Sequence, residues 1–312
     1  MPRLIRPRSA EPPPAGARNG SAPAAGPAPH PGGRRAGTSG APGSAPAPAA
    51  APAPAAHPAP GRTPAPAGPP PPRTPLAAPP LAHPLVAPGE WAELARPGVP
   101  LDWVAFDVAH GPGTGPDPLY GEAVRRVREN GVPLLGLLDA AYGLRSAAEL
   151  LADAARYLEW YRVDGFYLNQ APTLRSHAAE CRQVVTALRA LLGAAPPAAT
   201  SRARRPVVLA PNVHPCPEYA DFADQLVTFN GPWNRYRWSE LPEWTAAQPP
   251  ARFVHFVHTL PAVHLDDALR IADRLGAGAV WLTDRTDRAG VDPWAGLPGY
   301  WNKVGRKVRG RR

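Results

Sequence analysis

The sequence has little cysteine and no long apolar run. Its 312 residues include two cysteines, Cys181 and Cys216, too few for a disulfide framework and outside any zinc-binding spacing. No stretch of 18 apolar residues occurs, so no membrane span is predicted. A secretory signal needs an apolar stretch of about 7–15 residues, which the N-terminus lacks. We therefore expect a cytoplasmic protein, or a secreted one if the start site is misassigned.

The first 80 residues lack aromatic side chains altogether. They hold 25 of the 47 prolines, and their single acid, Glu11, stands against eight arginines. Such a segment cannot bury enough apolar surface to offset the cost of ordering its backbone. We predict a disordered Pro/Ala/Arg-rich arm over residues 1–80 and one large domain over residues 82–302.

The net charge of +9 lies outside the predicted domain. The arm carries +7, and residues 303–312, predicted as a basic C-terminal tail, carry +6, which leaves the remaining residues at −4. A mildly acidic domain has no charge excess that would follow a phosphate backbone. The sequence therefore predicts no nucleic-acid partner.

From residue 82 onward, short apolar runs alternate with longer helical patterns. Apolar runs without polar alternation are typical of parallel strands buried on both faces. Helix boundaries are marked by Asp117 before Pro118, and by Ser146 three residues before Glu149, a capping-box spacing. Eight strand–helix units in about 220 residues favour an α/β fold of the (β/α)8 TIM-barrel type over an open doubly wound sheet. The predicted strands are residues 83–87, 103–108, 132–138, 165–169, 207–211, 226–230, 253–257 and 279–283.

In such a barrel the functional residues lie at the carboxyl ends of the strands. The strand ends here are rich in amides, acids and aromatic rings, a mixture that suits sugars. We expect a polysaccharide ligand, no cofactor and no metal; His255 and His258, three apart on one strand, point to opposite faces and cannot share an ion. The predicted substrate-binding residues are His110, Tyr142, Asn212, Trp233, His255 and Asp284.

Several short motifs resemble the spherulin-4 family, whose enzymatic members form glycoside hydrolase family 135. Their order and spacing extend across residues 82–302. The resemblance implies a (β/α)8 fold and a ligand of the N-acetylgalactosamine-containing polysaccharide class. The motifs are DGFYLNQAP at 164–172, GPG at 111–113, DPLY at 117–120, YG at 142–143, FNGP at 229–232, RFVHFVH at 252–258 and DPWAGLPGYW at 292–301.

The departures from the family pattern concern its acids. The family's fourth strand ends in an Asp-Glu pair, where this chain has Asn169 and Gln170, and its sixth strand carries Phe-Glu, where this chain has Phe229 and Asn230. Glycoside hydrolysis needs a carboxylic acid as proton donor, and an amide cannot replace it. We therefore predict a sugar-binding domain with impaired catalysis.

Two alternatives stay open at this point. Hydrolysis could use other acids at predicted strand ends, Asp107, Asp139 or Asp284. The first two lie on adjacent strands and could form a pair, although Asp at a strand end often only caps the following loop. Alternatively, the chain is a scaffold whose proline-rich arm binds a protein partner.

Overall fold

The computed structural model describes residues 74–195 and 205–310. Within them, eight parallel strands form a closed barrel in sequence order, and β1 pairs with both β2 and β8. The predicted (β/α)8 fold is confirmed. The strands are β1 Leu76–Ala78, β2 Leu101–Phe106, β3 Leu134–Asp139, β4 Gly165–Asn169, β5 Val207–Ala210, β6 Gln225–Pro232, β7 Phe253–His258 and β8 Ala279–Leu282. The helices are α1 Pro88–Leu94, α2 Pro118–Glu129, α3 Ala147–Tyr161, α4 Ala178–Ala194, α5 Trp233–Tyr236, α6 Leu265–Arg274 and α7 Trp301–Gly310.

The predicted helix starts are confirmed by their hydrogen bonds. The Asp117 carboxylate accepts from the backbone N–H groups of Leu119 and Tyr120, with Pro118 at the first helical position. Ser146 and Glu149 form the reciprocal capping box ahead of α3. These side chains satisfy backbone donors that have no partner inside a helix.

The first strand lies earlier than predicted. Residues 83–87 form a turn ahead of α1, in which Leu85 and Val86 are 73% and 75% exposed. The strand is the fully buried run Leu76–Ala78, which prolines flank on both sides and which is too short to stand out from the preceding composition. The arm predicted over residues 1–80 therefore overlaps the barrel at its end, and residues 1–73 lie outside the described residues.

The C-terminal prediction also needs correction. Residues 303–310, expected to be a basic tail, belong to α7. One face of this helix is buried through Trp301, Val304 and Val308, while Lys307 Nζ donates to the Asp266 carboxylate on α6 across 2.6 Å. The basic side chains had masked an apolar stripe of helical period.

Large side chains from non-adjacent strands fill the barrel interior. The Trp103 ring of β2 lies 5.8 Å from that of Tyr167 on β4 and 6.3 Å from that of Phe256 on β7. Its Nε1 donates to Gln225 Oε1 on β6 across 2.6 Å. Because side chains alternate along a strand, these contacts identify which residues of each strand face inward. Asn169, two residues after Tyr167, therefore points inward at the mouth of the barrel.

Candidate functional site

Polar residues from β2 to β4 meet on one side of the barrel mouth. Asp139, at the end of β3, is the register partner of Asn169 at the end of β4. Asp107 follows β2 and lies close enough to Asp139 for the charge of that residue to raise its pKa. The predicted adjacency of Asp107 and Asp139 is thus present, with the Asn169 amide on the next strand.

Each of these two acids also holds its own loop. Asp107 Oδ1 accepts from the Gly111 N–H across 2.7 Å, and Asp139 Oδ1 accepts from the Ala141 N–H across 3.0 Å. Burial, the largest cause, raises the pKa of Asp107 above its ordinary value, while the Gly111 hydrogen bond opposes that rise. The capping roles considered from the sequence are therefore real, and each acid has a second oxygen that does not take part in these two bonds.

Non-glycine residues in the left-handed backbone region concentrate on the loops of this face. Six of them follow the carboxyl ends of strands, and each costs backbone energy that the surrounding structure must offset. In one case the Tyr142 N–H donates to the Gln170 carbonyl across 2.7 Å, which ties the loops after β3 and β4 together. Such strain is typical of functional loops. The six are His110, Ala141, Tyr142, Gln170, Asn212 and Thr259.

A cleft of about 550 Å³ opens beside these loops, at the ends of β5 and β6. Asn230 points inward, since its register partner on β7 is the interior residue Phe256. Its Nδ2 donates to Asn212 Oδ1 across 3.0 Å, so two amides stand side by side in the wall. Tyr142, 59% exposed, lines the same cleft. Four predicted residues therefore share this cleft: Tyr142, Asn212, Asn230 and His255.

His255 precedes the inward-facing Phe256 on β7, so its side chain points away from the barrel interior, where a buried network beside the cleft holds it. Its Nδ1 lies 2.9 Å from the Tyr236 hydroxyl and its Nε2 lies 3.1 Å from the Thr228 hydroxyl. Burial lowers the pKa of His255 to about 3, so the ring is neutral at physiological pH. Both ring nitrogens have protein partners, and the residue acts as a fixed support.

Other predicted residues lie apart from the cleft. The His110 side chain is 97% exposed, with Nδ1 3.9 Å from Asp107 Oδ2. Trp233 is buried and stacks on His264, and Asp284 Oδ1 accepts from the Gly299 N–H across 2.9 Å, which fastens the C-terminal loop. Neither Trp233 nor Asp284 lines the cleft. Asn169 and Gln170 stand next to it, at the end of the strand that pairs with β5.

Sequence reasoning missed several polar residues of the cleft, three of which come from one stretch after β6. Arg235, Ser239 and Glu240 line it and follow β6, the first within the one-turn helix α5 and the other two shortly after that helix. Glu240 is a carboxylate in the cleft, where the predicted positions supply amides. A four-residue helix is too short to show a helical repeat of apolar residues in the sequence. The only sequence signal for Glu240 was its position after β6.

The structure also bears on metals and membranes. In residues 74–195 and 205–310, no three or more His, Cys, Asp or Glu side chains come together as metal ligands would. None of the helices in that part of the chain has the length and apolar composition of a membrane span.

The sequence matches the spherulation-specific family 4 (Spherulin4) over residues 79–308. The chain belongs to this family. No protein with a curated description matches it significantly. Membership agrees with the motifs described above and with the closed barrel.

Solved structures are similar in fold. The crystal structure of Aspergillus clavatus Sph3 in complex with GalNAc superposes with a TM-score of 0.61 at 21% identity, covering 76% of this chain and 98% of that chain. The spore coat polysaccharide biosynthesis protein spsE of Bacillus subtilis gives a TM-score of 0.45 at 14% identity, covering 77% and 67%. At these identities the likeness concerns the fold, and at the second TM-score we base nothing on it.

Proposed function

We propose that this spherulin-4 domain binds a polysaccharide containing N-acetylhexosamine units, in the cleft at the ends of β5 and β6, and hydrolyses it weakly or not at all. The observation that carries the proposal is the Asn230–Asn212 amide pair, since the resemblance to the family implies a carboxylate at the position of Asn230. Fixed amide donors and acceptors beside an exposed tyrosine ring suit hydroxyl and acetamido groups.

The sugar class comes from the family and its fold relative. Sph3, which shares the fold, is described in complex with GalNAc. The two side-chain amides offer four N–H donors and two carbonyl oxygens between them, and their mutual bond uses one N–H of Asn230 and one lone pair of the Asn212 oxygen. What remains can pair with the carbonyl and N–H of an acetamido group.

Weak hydrolysis follows from the chemistry of the three amides. Asn169 and Gln170 keep the size and hydrogen-bonding reach of Asp and Glu. Asn230 is one methylene shorter than the Glu that the resemblance implies there. None of them releases a proton near neutral pH, so none can protonate a leaving glycosidic oxygen. Even a mechanism in which the substrate's acetamido group is the nucleophile needs that proton donor.

Restoring the acids tests this proposal directly. The variant Asn169→Asp/Gln170→Glu/Asn230→Glu and the wild type are incubated with an N-acetylgalactosamine oligosaccharide, and new reducing ends and calorimetric binding are measured. We expect the wild type to bind without turnover and the triple variant to release reducing ends. Asn302→Asp, an exposed amide that bonds Arg96, is the control and should not gain activity. Robust turnover by the wild type would show that catalysis is intact.

A second candidate is a hydrolase that uses relocated acids, and the Asp107–Asp139 proximity favours it. A raised pKa suits a proton donor, and Asp107 has one. If the wild type hydrolyses glycan, Asp107→Asn and Asp139→Asn should each abolish turnover in this case, and Asp284→Asn should not, since Asp284 fastens Gly299 outside the cleft. Glu240→Gln tests the remaining carboxylate of the cleft in the same assay.

The proposed role of the arm as a docking segment for a protein partner needs a separate experiment. Its residues lie outside those described, and the barrel strand at Leu76–Ala78 sets the limit for a truncation. Removing residues 1–73 should leave glycan binding unchanged. Loss of a protein partner from that variant alone would support the arm as the interacting part.

A further inference from the structure

A second open pocket of about 480 Å³ lies on the outer side of the barrel, between α5 and α6. Its walls are two helical stripes. Trp233 and Arg237 are four residues apart at α5, and residues 267, 270, 271 and 274 follow the 3.6-residue period along α6. Neither the amide pair nor the Asp107 group takes part in it.

This pocket carries a net positive charge, and some of its arginines have no acidic partner in the described part of the chain. It presents Arg237, Arg270 and Arg274 and one acid, Asp267. Asp267 is already engaged, because Arg270 pairs with it and His264 Nδ1 lies 3.1 Å from its Oδ2. Among the residues that the structure describes, Arg237 and Arg274 have no carboxylate partner. The Arg237 guanidinium lies over the Trp238 ring, 5.3 Å from its centroid, which leaves its charge, like that of Arg274, without a carboxylate among these residues to neutralise it.

The pocket also has a flat wall. The Trp233 and His264 rings stack at a centroid distance of 5.5 Å and an interplanar angle of 24°. Trp233 is almost fully buried, whereas about 45% of the His264 side chain is exposed and presents its outer surface to the pocket. A ring-shaped ligand with an acidic substituent fits such a surface, because the ring can stack while the arginines bind the anion.

One helical turn separates this pocket from the cleft. Arg235 and Ser239 line the cleft, while Trp233 and Arg237 line the arginine pocket, so the two sites use opposite sides of α5. An extended polymer that crosses α5 would contact both sites. A free small anion would not need this arrangement.

We propose that the arginine pocket binds an anionic substituent, a carboxylate or a sulfate, on a sugar of the same chain that the cleft holds. The inference rests on the proposed function for the cleft and narrows its ligand to an acidic polysaccharide. A nucleic acid is the competing polyanion. We favour the glycan because the positive charge forms one discrete pocket and not a continuous stripe.

The test compares four probes by titration calorimetry on the full chain. They are an unsulfated chondroitin oligosaccharide, which alternates N-acetylgalactosamine with glucuronate, its sulfated form, its carboxyl-reduced neutral form, and duplex DNA. We expect an acidic form to bind about tenfold more tightly than the neutral form at low salt, with the difference shrinking as salt is added. Equal gains of the two acidic forms would identify the anion as the carboxylate that both carry, and a further gain on sulfation would identify it as sulfate.

Matched variants locate the effect. Arg237→Gln/Arg274→Gln should lose the acidic preference and keep the affinity for the neutral form. Arg288→Gln/Arg306→Gln removes the same charge from two exposed positions elsewhere and should keep the preference. A preference that survives in the first variant, or is lost equally in both, overturns the proposal.

The remaining outcomes separate the two proposals. If the neutral form binds and acidic groups add nothing, the arginine pocket proposal is wrong and the cleft proposal stands. If no form binds, the cleft proposal fails, and the pocket proposal fails with it. If DNA binds as tightly as the acidic glycan and depends on the same two arginines, the pocket belongs to a nucleic-acid site and the glycan assignment is overturned.

Discussion

The side-chain amide of Asn230 donates a hydrogen bond to the side-chain oxygen of Asn212 across 3.0 Å, joining the ends of β6 and β5 in the wall of the cleft. Asn230 is extended strand, whereas Asn212 has a φ of 64°. Asparagine tolerates that backbone region better than most residues, because its short polar side chain bonds locally. The pleated backbone of β6 therefore orients the Asn230 amide, and the left-handed backbone of the loop orients the Asn212 amide. Both amides are held in place before a ligand binds.

Replacing Asn230 with Ala should weaken glycan binding without unfolding the domain. The variant removes ligand hydrogen bonds and leaves Asn212 without its partner, at a cost of about 1 kcal/mol, or roughly fivefold in affinity. Calorimetry with an N-acetylgalactosamine oligosaccharide measures the change. Asn302→Ala serves as control, because Asn302 is exposed and bonds only Arg96 among the contacts given by the structure. Equal affinity of both variants would place the ligand elsewhere.

Asp107→Asn should raise the stability of the domain near neutral pH. Burial and the charge of Asp139 both raise the pKa of Asp107, so ionisation is less favourable in the folded state than in the unfolded state. The stability that protonated Asp107 contributes is fully present below the pKa of this group in the unfolded chain, near 3.8. It is lost as the pH rises through the higher pKa of Asp107 in the folded chain. An asparagine keeps the acceptor for the Gly111 N–H and carries no charge.

The difference between wild type and Asp107→Asn should therefore depend on pH. Urea unfolding at pH 8 should give the variant the higher midpoint, and the two midpoints should converge toward pH 3. Asp292→Asn, an exposed acid with no such burial, controls for the loss of one negative charge. A difference that stays constant with pH would mean that the titration of Asp107 is not its cause.

Most of the barrel was predictable because its strands and caps are local signals. Seven of the eight predicted strands overlap observed ones, because their unbroken apolar runs are more apolar than the sequence around them. The strand Leu76–Ala78 was not predicted, because three small or aliphatic residues between prolines have the composition of the arm. Only pairing with β2 and β8 identifies that run as a strand, and such pairing is a tertiary property.

The site was predictable where it lies on strand ends and not where it lies on loops. Asn230 and Asn212 could be placed because parallel strands end on one face. Glu240 could not, since its position depends on a one-turn helix after β6. Trp233 was expected at the sugar site, and α5 turns it to the other side, against His264. The catalytic state of the cleft, inferred from Asn169, Gln170 and Asn230, stays a prediction.

The buried His255 should make the domain less stable in acid. Burial lowers the pKa of this imidazole to about 3, so from about pH 6.5 downward the unfolded chain binds a proton that the folded chain does not. Stability from this group is complete above pH 6.5 and is lost as the pH falls toward 3, at about 1.4 kcal/mol per pH unit. His214 and His258, whose pKa values burial also lowers, act in the same direction.

His255→Gln isolates that contribution. Glutamine retains a polar group toward Tyr236 and Thr228 but cannot titrate. The unfolding free energy of the variant, measured in urea from pH 7.5 to 4, should be lower than that of the wild type at pH 7.5. It should also fall less steeply with decreasing pH, since the variant takes up about one proton fewer on unfolding. Parallel pH profiles would contradict a neutral, buried His255.

Two glycines provide a matched test of how closely the barrel is packed. A Cβ on Gly165, at the start of β4, would overlap the Pro206 carbonyl oxygen and lie 2.8 Å from Leu135. Because the nearer neighbour is backbone, it cannot rotate away, and Gly165→Ala should cost about 3 kcal/mol or more. Gly193, exposed in α4, has nothing within 4 Å of that position, and Gly193→Ala should stabilise the domain by up to about 1 kcal/mol. Urea unfolding of both variants measures the contrast, and comparable effects of the same sign would mean that β4 does not pass this close to the chain before β5.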